Sequence, residues 1–176
     1  MPPPPYIVAA KGVGNMDISL SDERIAELIS MPKRVANPKA RMVPDAKHLK
    51  CDYKVASVSG DEEFTIFLRQ HSEMPDDFTA GLKWHSTTGE AVVLMRCNGS
   101  SHPHKNHIEN TRFSAGNCHI HKATERYIER GCEPEHFAEI TNGYTSLAGA
   151  LHRLCVDCNI SGIDTTPESH NLFPLQ

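Results

Sequence analysis

The stretch Gly81-Leu82-Lys83-Trp84-His85-Ser86-Thr87-Thr88-Gly89-Glu90-Ala91-Val92-Val93-Leu94-Met95 decides the fold. Two largely apolar runs flank Thr88-Gly89-Glu90, the composition of a tight reversal between paired strands. Upstream, Val55, Val58 and Phe64-Thr65-Ile66-Phe67-Leu68 stand on either side of Gly60-Asp61 and repeat the pattern. The middle third therefore reads as two successive hairpins, and hence as an antiparallel sheet.

Outward from these strands the pattern changes period. Ser21 is an N-cap with Leu20 and Ile25 as its hydrophobic staple, and Ile25, Leu28 and Ile29 form one apolar stripe that Pro32 stops. Lys33 to His48 is basic, broken by Pro38 and Pro44, and reads as a loop. Downstream, Cys118-His119-Ile120-His121 alternates as a strand does, which puts both histidines on one face. Ala123 to Arg130 is helical and closed by Gly131, and Pro134 suits the first turn of a short helix through His136, Phe137 and Ile140. Leu147, Leu151, Leu154 and Cys158 make the stripe of an amphipathic helix. The expected class is α+β, with an antiparallel sheet of about five strands covered by the C-terminal helix and the short N-terminal helix at an edge. Residues 1–18 form a Pro-rich arm, 19–50 the N-terminal helix and basic loop, 51–165 a single α+β domain, and 166–176 a tail.

With 176 residues the chain is long enough to bury a core without crosslinks. Its six cysteines are scattered and no basic-then-apolar leader opens it, so they read as reduced thiols in a cytoplasmic protein. No apolar run reaches membrane-spanning length, which predicts no membrane partner. The formal charge of −4 is banded: residues 31–54 and 96–130 are basic, whereas 55–95 and 131–176 are acidic. Such bands suit local anion binding better than indiscriminate coating of DNA.

Five of the eleven histidines, His102, His104, His107, His119 and His121, crowd into the second basic band, interleaved with Lys105, Arg112 and Lys122. Histidine titrates nearest neutrality and is the commonest metal ligand, so the stretch is the candidate site. Residues 99–117 are polar and form a loop longer than packing requires. No phosphate loop, Gly-x-Ser-x-Gly elbow or His-Glu-x-x-His helix is present, which argues against ATP and dinucleotide chemistry. Two histidines sharing a face amid cations are the parts for acid/base attack within a ribose phosphodiester. In that scheme His119 and His121 are catalytic, His104 supports or replaces one of them, and Lys105, Arg112 and Lys122 hold phosphate, with no cofactor. The alternative is one divalent metal, zinc foremost, on His104, His107, His119 and His121, in a zinc-dependent hydrolase. A third reading is a non-enzymatic module binding a protein or nucleic acid through residues 1–54, with Lys33, Arg34, Lys39 and Arg41 in the contact.

From Val92 to Asn159 the chain resembles a small uncharacterised family of prokaryotic and mobile-element proteins. The family carries a Pro-His-[Arg/Lys]-Asn loop, then His-Ile-His, then a helical tail. The matching residues are Pro103-His104-Lys105-Asn106, His119-Ile120-His121 and Ala123-Thr124-Glu125-Arg126. The resemblance implies that these residues belong to one local arrangement, in a toxin- or defence-related context. From the shared face of His119 and His121 and the local positive band, the expected function is a metal-independent phosphodiesterase or ribonuclease acting on RNA or another phosphodiester.

Overall fold

The computed structural model describes residues 19–165; the Pro-rich arm and the C-terminal tail expected from the sequence lie outside the described residues. The predicted hairpins are the centre of a larger sheet. Strands β3 (His48–Ser57), β4 (Glu63–His71), β5 (Phe78–His85) and β6 (Ala91–Asn98) pair antiparallel in order. Their alternating burial puts Cys51, Tyr53, Val55, Phe64, Ile66, Leu68, Leu82 and Cys97 on one face. Helix α3 (Leu147–Asp157) covers that face, lying on β4, β5 and β6 with Leu147, Ala150, Leu151 and Leu154 buried. Side-chain capping by Ser146, which accepts from the Gly149 N–H at 3.2 Å, begins it.

The sheet has nine strands where about five were expected, and it is mixed. Its spatial order is β10 (Phe137–Ile140), β9 (His119–Lys122), β6, β5, β4, β3, β1 (Lys33–Val35) and β11 (Ile160–Ser161), with β2 (Val43–Asp45) also on β3. Among the described residues only the β1–β11 pair runs parallel. The added strands are two to four residues long, too short for a period of two to be read in them. Pro44 sits in β2 without harm because that strand pairs on one side only. The segment after Pro134 is β10 and not a helix, because its backbone is taken up by β9 from Phe137↔Lys122 to Ile140↔His119.

Helix α1 (Asp22–Ser30) has the expected cap and staple: Ser21 Oγ accepts from Arg24 N–H at 3.2 Å, and Leu20 and Ile25 are buried. It is not at a lateral edge. It approaches β6, pairs Arg24 with Glu62 beside the β3–β4 turn, and exchanges backbone-to-carboxylate bonds between Asp22 and Glu125. Lys33, expected on a basic contact surface, is 1% exposed. Its Nζ donates to the carbonyls of Ile29, Met31 and Cys158 at 2.7, 2.9 and 2.9 Å, so it ties together the C-terminal ends of α1 and α3. No cysteine is bridged, and no helix among the described residues is long and apolar enough to cross a membrane.

Candidate histidine site

Strand β9 places the site. Its register on β6 sets His121 opposite Arg96 and His119 opposite Asn98, whereas Ile120 lies opposite core-facing Cys97. By alternation the two histidines stand on the face away from α3, as the His-Ile-His spacing predicts. They are nevertheless buried, at 0% and 2% exposure. Their cover is the hairpin of β7 (His104–Asn106) and β8 (Thr111–Phe113), which lies within the stretch expected to be loop.

Asn106 fastens this hairpin. Its Nδ2 donates to Ala138 O at 2.8 Å and to Thr111 Oγ1 at 3.1 Å, and its Oδ1 accepts from Ala138 N–H at 2.9 Å. The side-chain amide thus pairs with β10 as one more backbone unit would. Tyr127, on α2 (Glu125–Glu129), accepts from Ile108 N–H and donates to Glu109, pinning the turn of the hairpin.

Six imidazoles come together under and around the hairpin. Ring centroids lie 4.7 Å apart for His104 and His121, 5.0 Å for His119 and His121, and 5.8 Å for His104 and His119. His136 joins at 5.1 Å from His104, His107 stacks on His136 at 4.6 Å, and His102 meets His119 at 5.2 Å. His136 was missed from the sequence because its segment reads as a separate helix; as the residue leading into β10, it is carried beside β9 by long-range pairing.

Hydrogen bonding fixes which nitrogens are bare. Carbonyl oxygens only accept, so His119 Nδ1–H donates to Asn117 O and His121 Nδ1–H to Glu135 O, each at 3.0 Å. His104 Nε2–H likewise donates to Asn106 Oδ1 and His136 Nε2–H to Lys105 O. The Nε2 atoms of His119 and His121 are left as lone pairs, buried without a partner. Arg96 Nε is a buried donor without a hydrogen bond, its nearest carboxylate oxygen being Glu135 Oε1 at 3.7 Å.

Burial holds these rings neutral at pH 7. Burial, followed by the charges of His102, His104 and Arg96, lowers His119 to about 4 against the pull of its bond to Asn117. Burial and then Arg96 lower His121 to about 2. His104 is lowered chiefly by burial, and burial raises Glu135.

Three expected phosphate ligands are not brought to the imidazoles. Lys105 and Arg112 oppose each other on the hairpin and alternate with His104, Asn106 and Phe113, so they point off its outer side. Lys122 alternates with His121, stands opposite Met95 on the α3 side of β9, and is exposed. Arg96 is the cation that does arrive. The missed signal was alternation: if the strand starting at Ala91 runs on to Asn98, residue 96 faces away from buried Cys97. His107 sits at the outer rim on His136 and not with His119 and His121. Among the described residues, no group of three or more His, Cys, Asp or Glu side chains is arranged to hold a metal ion.

The model of a family described as "Family of unknown function (DUF6978)" matches residues 20–160. No curated protein and no solved structure matches the chain.

Proposed function

The chain belongs to that family of unknown function, and we propose that its histidine nest is the active site of a metal-independent phosphodiesterase acting on RNA. One observation carries this reading: two buried acceptors, His119 Nε2 and His121 Nε2, share a strand pair with one buried donor, Arg96 Nε, and none of the three has a hydrogen-bond partner. Unpaired buried polar atoms are rare because each costs about 1–3 kcal/mol, so this patch suits an occupant offering both a hydroxyl proton and an anionic oxygen. A ribose 2′-hydroxyl beside its phosphate offers both.

In this scheme the phosphodiester anion sits against Arg96 and raises the pKa of the neighbouring imidazoles, so the pair holds one proton in the complex. The 2′-hydroxyl gives its proton to the bare Nε2 as its oxygen bonds to phosphorus. The bond from phosphorus to the 5′-oxygen breaks, and that oxygen takes the proton from the other Nε2. The products are a 2′,3′-cyclic phosphate and a 5′-hydroxyl. Arg96 stabilises the extra charge on the pentacoordinate phosphorus.

The test is cleavage of single-stranded RNA in chelator, with identification of the new ends. Cyclic-phosphate ends are expected, with at least a roughly hundredfold loss for His119→Ala, His121→Ala and Arg96→Ala. Lys122→Ala, on the other face, should cleave normally. In the free enzyme His119, lowered to about 4, and His121, lowered to about 2, are both neutral at pH 7, so the productive singly protonated form grows as pH falls. kcat/KM should therefore rise about tenfold per unit between pH 8 and 5. Activity surviving in the double histidine variant, or cleavage only with added metal, would overturn the proposal.

A further inference from the structure

The face of the sheet that carries the nest does not end there. The registers align one cross-strand row, His121–Arg96–Gly81–Phe67–Asp52, running from β9 through β6, β5 and β4 to β3. α3 covers the opposite face, so beyond the hairpin this face holds half-buried and exposed side chains. At a strand spacing of about 4.8 Å, Phe67 stands roughly 14 Å from His121.

Phe67 is an aromatic ring on an open face. A Cβ on Gly81 would fall 2.2 Å from its Cζ, so only glycine there lets the ring lie across the sheet. Two cations flank it: Lys83 Nζ is 5.5 Å and the Arg69 guanidinium 5.9 Å from the ring centroid. Lys54 adds charge on the next strand, and Asp52, bonded to Arg69 at 2.8 Å, is the acidic group within the row. A protein of net charge −4 thus gathers cations around an accessible aromatic, in the same cross-strand row as Arg96 and His121.

We propose that this row is a track for single-stranded RNA, in which an unpaired base stacks on Phe67 while Arg69 and Lys83 hold the adjoining phosphates and lead the strand to Arg96. Stacking between bases and aromatic side chains tolerates any sequence but requires the base to be unpaired, and flanking cations supply the salt-dependent part of the affinity. That the strand is RNA rests on the phosphodiesterase reading; the track itself rests on the open face.

The experiment uses the full chain and two probes: a labelled single-stranded RNA dodecamer for binding and a dinucleotide for cleavage. Phe67→Ala with Lys83→Ala should weaken dodecamer binding about ten- to a hundredfold while leaving dinucleotide cleavage unchanged. Phe67→Trp should restore binding, which a purely structural role for the ring would not do. Lys83→Ala alone should lower the salt slope by about one ion. Dodecamer binding unchanged in the double variant, or duplex RNA bound as tightly as the single strand, would overturn the track. Failure of the wild-type chain to cleave the dinucleotide, with Phe67-dependent binding intact, would overturn the phosphodiesterase reading and sustain the track.

Discussion

Lys33 and the histidine pair, buried on opposite faces of this sheet, place their polar atoms in opposite ways. On the α3 side the buried charge is Lys33, and each of its three N–H bonds meets a carbonyl. On the other side, under the β7–β8 hairpin, His119 and His121 are as deeply buried, yet each leaves a nitrogen without a partner. Folding accounts for the first arrangement, since the cation closes two helix ends that have no basic residue in their last turns. Stability does not account for the second. A site is recognised here less by which residues are buried than by which of their atoms remain unpaired.

The comparison breaks most visibly at Lys33. Replacing it with Ala leaves three carbonyls short of a donor and removes the packed stem, so Lys33→Ala should cost about 4 kcal/mol in urea unfolding. If the loss were under about 1 kcal/mol, Lys33 would belong with the free surface cations where its sequence neighbours place it. Asn106→Ala should cost less, about 3 kcal/mol, by unpairing both backbone groups of Ala138. Hydrogen exchange should then quicken in the hairpin and in β10, leaving β3 to β5 as slow as before.

These two positions also show where sequence reasoning stops. The hairpins β3–β4 and β5–β6, the capped α1, the α3 stripe and the shared face of His119 and His121 rest on local periods of two and 3.6, and a single chain displays those openly. Alternation gives Arg96 its face, but Arg96 and His136 meet the histidines through register between strands far apart in sequence, which no local period encodes. Lys105 and Lys122 mislead for a local reason: each is one step along a strand from a histidine, which puts the cation on the other face, and Arg112 pairs with Lys105 on that outer side.

Acid should separate the faces without any mutation. A histidine whose folded pKa is depressed contributes fully above its unfolded value, near 6.5, and loses that contribution as pH falls toward the folded value. For His119 the window runs from about 6.5 down to about 4, and for His121 it extends lower. Stability should decline there by about 1 kcal/mol per histidine for each pH unit. The slope should flatten in a His119→Ala, His121→Ala protein measured by urea titration at several pH values. An unchanged slope would mean that the nest is not kept neutral by its burial.

The smallest effect tests whether the open face is organised at all. Phe67 leans on Gly81, and a ring over a strand glycine shields backbone that would otherwise face water. Gly81→Ala in the wild-type background must push the ring aside and should cost about 1 kcal/mol. With Phe67→Ala already present, the ring atoms that crowd the new methyl group are gone, and alanine is the better strand residue, so the same substitution should stabilise by about 0.5 kcal/mol. The sign change in a double-mutant cycle measures the contact itself, because the two side chains touch and their effects do not add. Equal costs in both backgrounds would mean that the ring does not rest on the sheet in solution, and a ring free of the sheet has no fixed plane on which a base could stack.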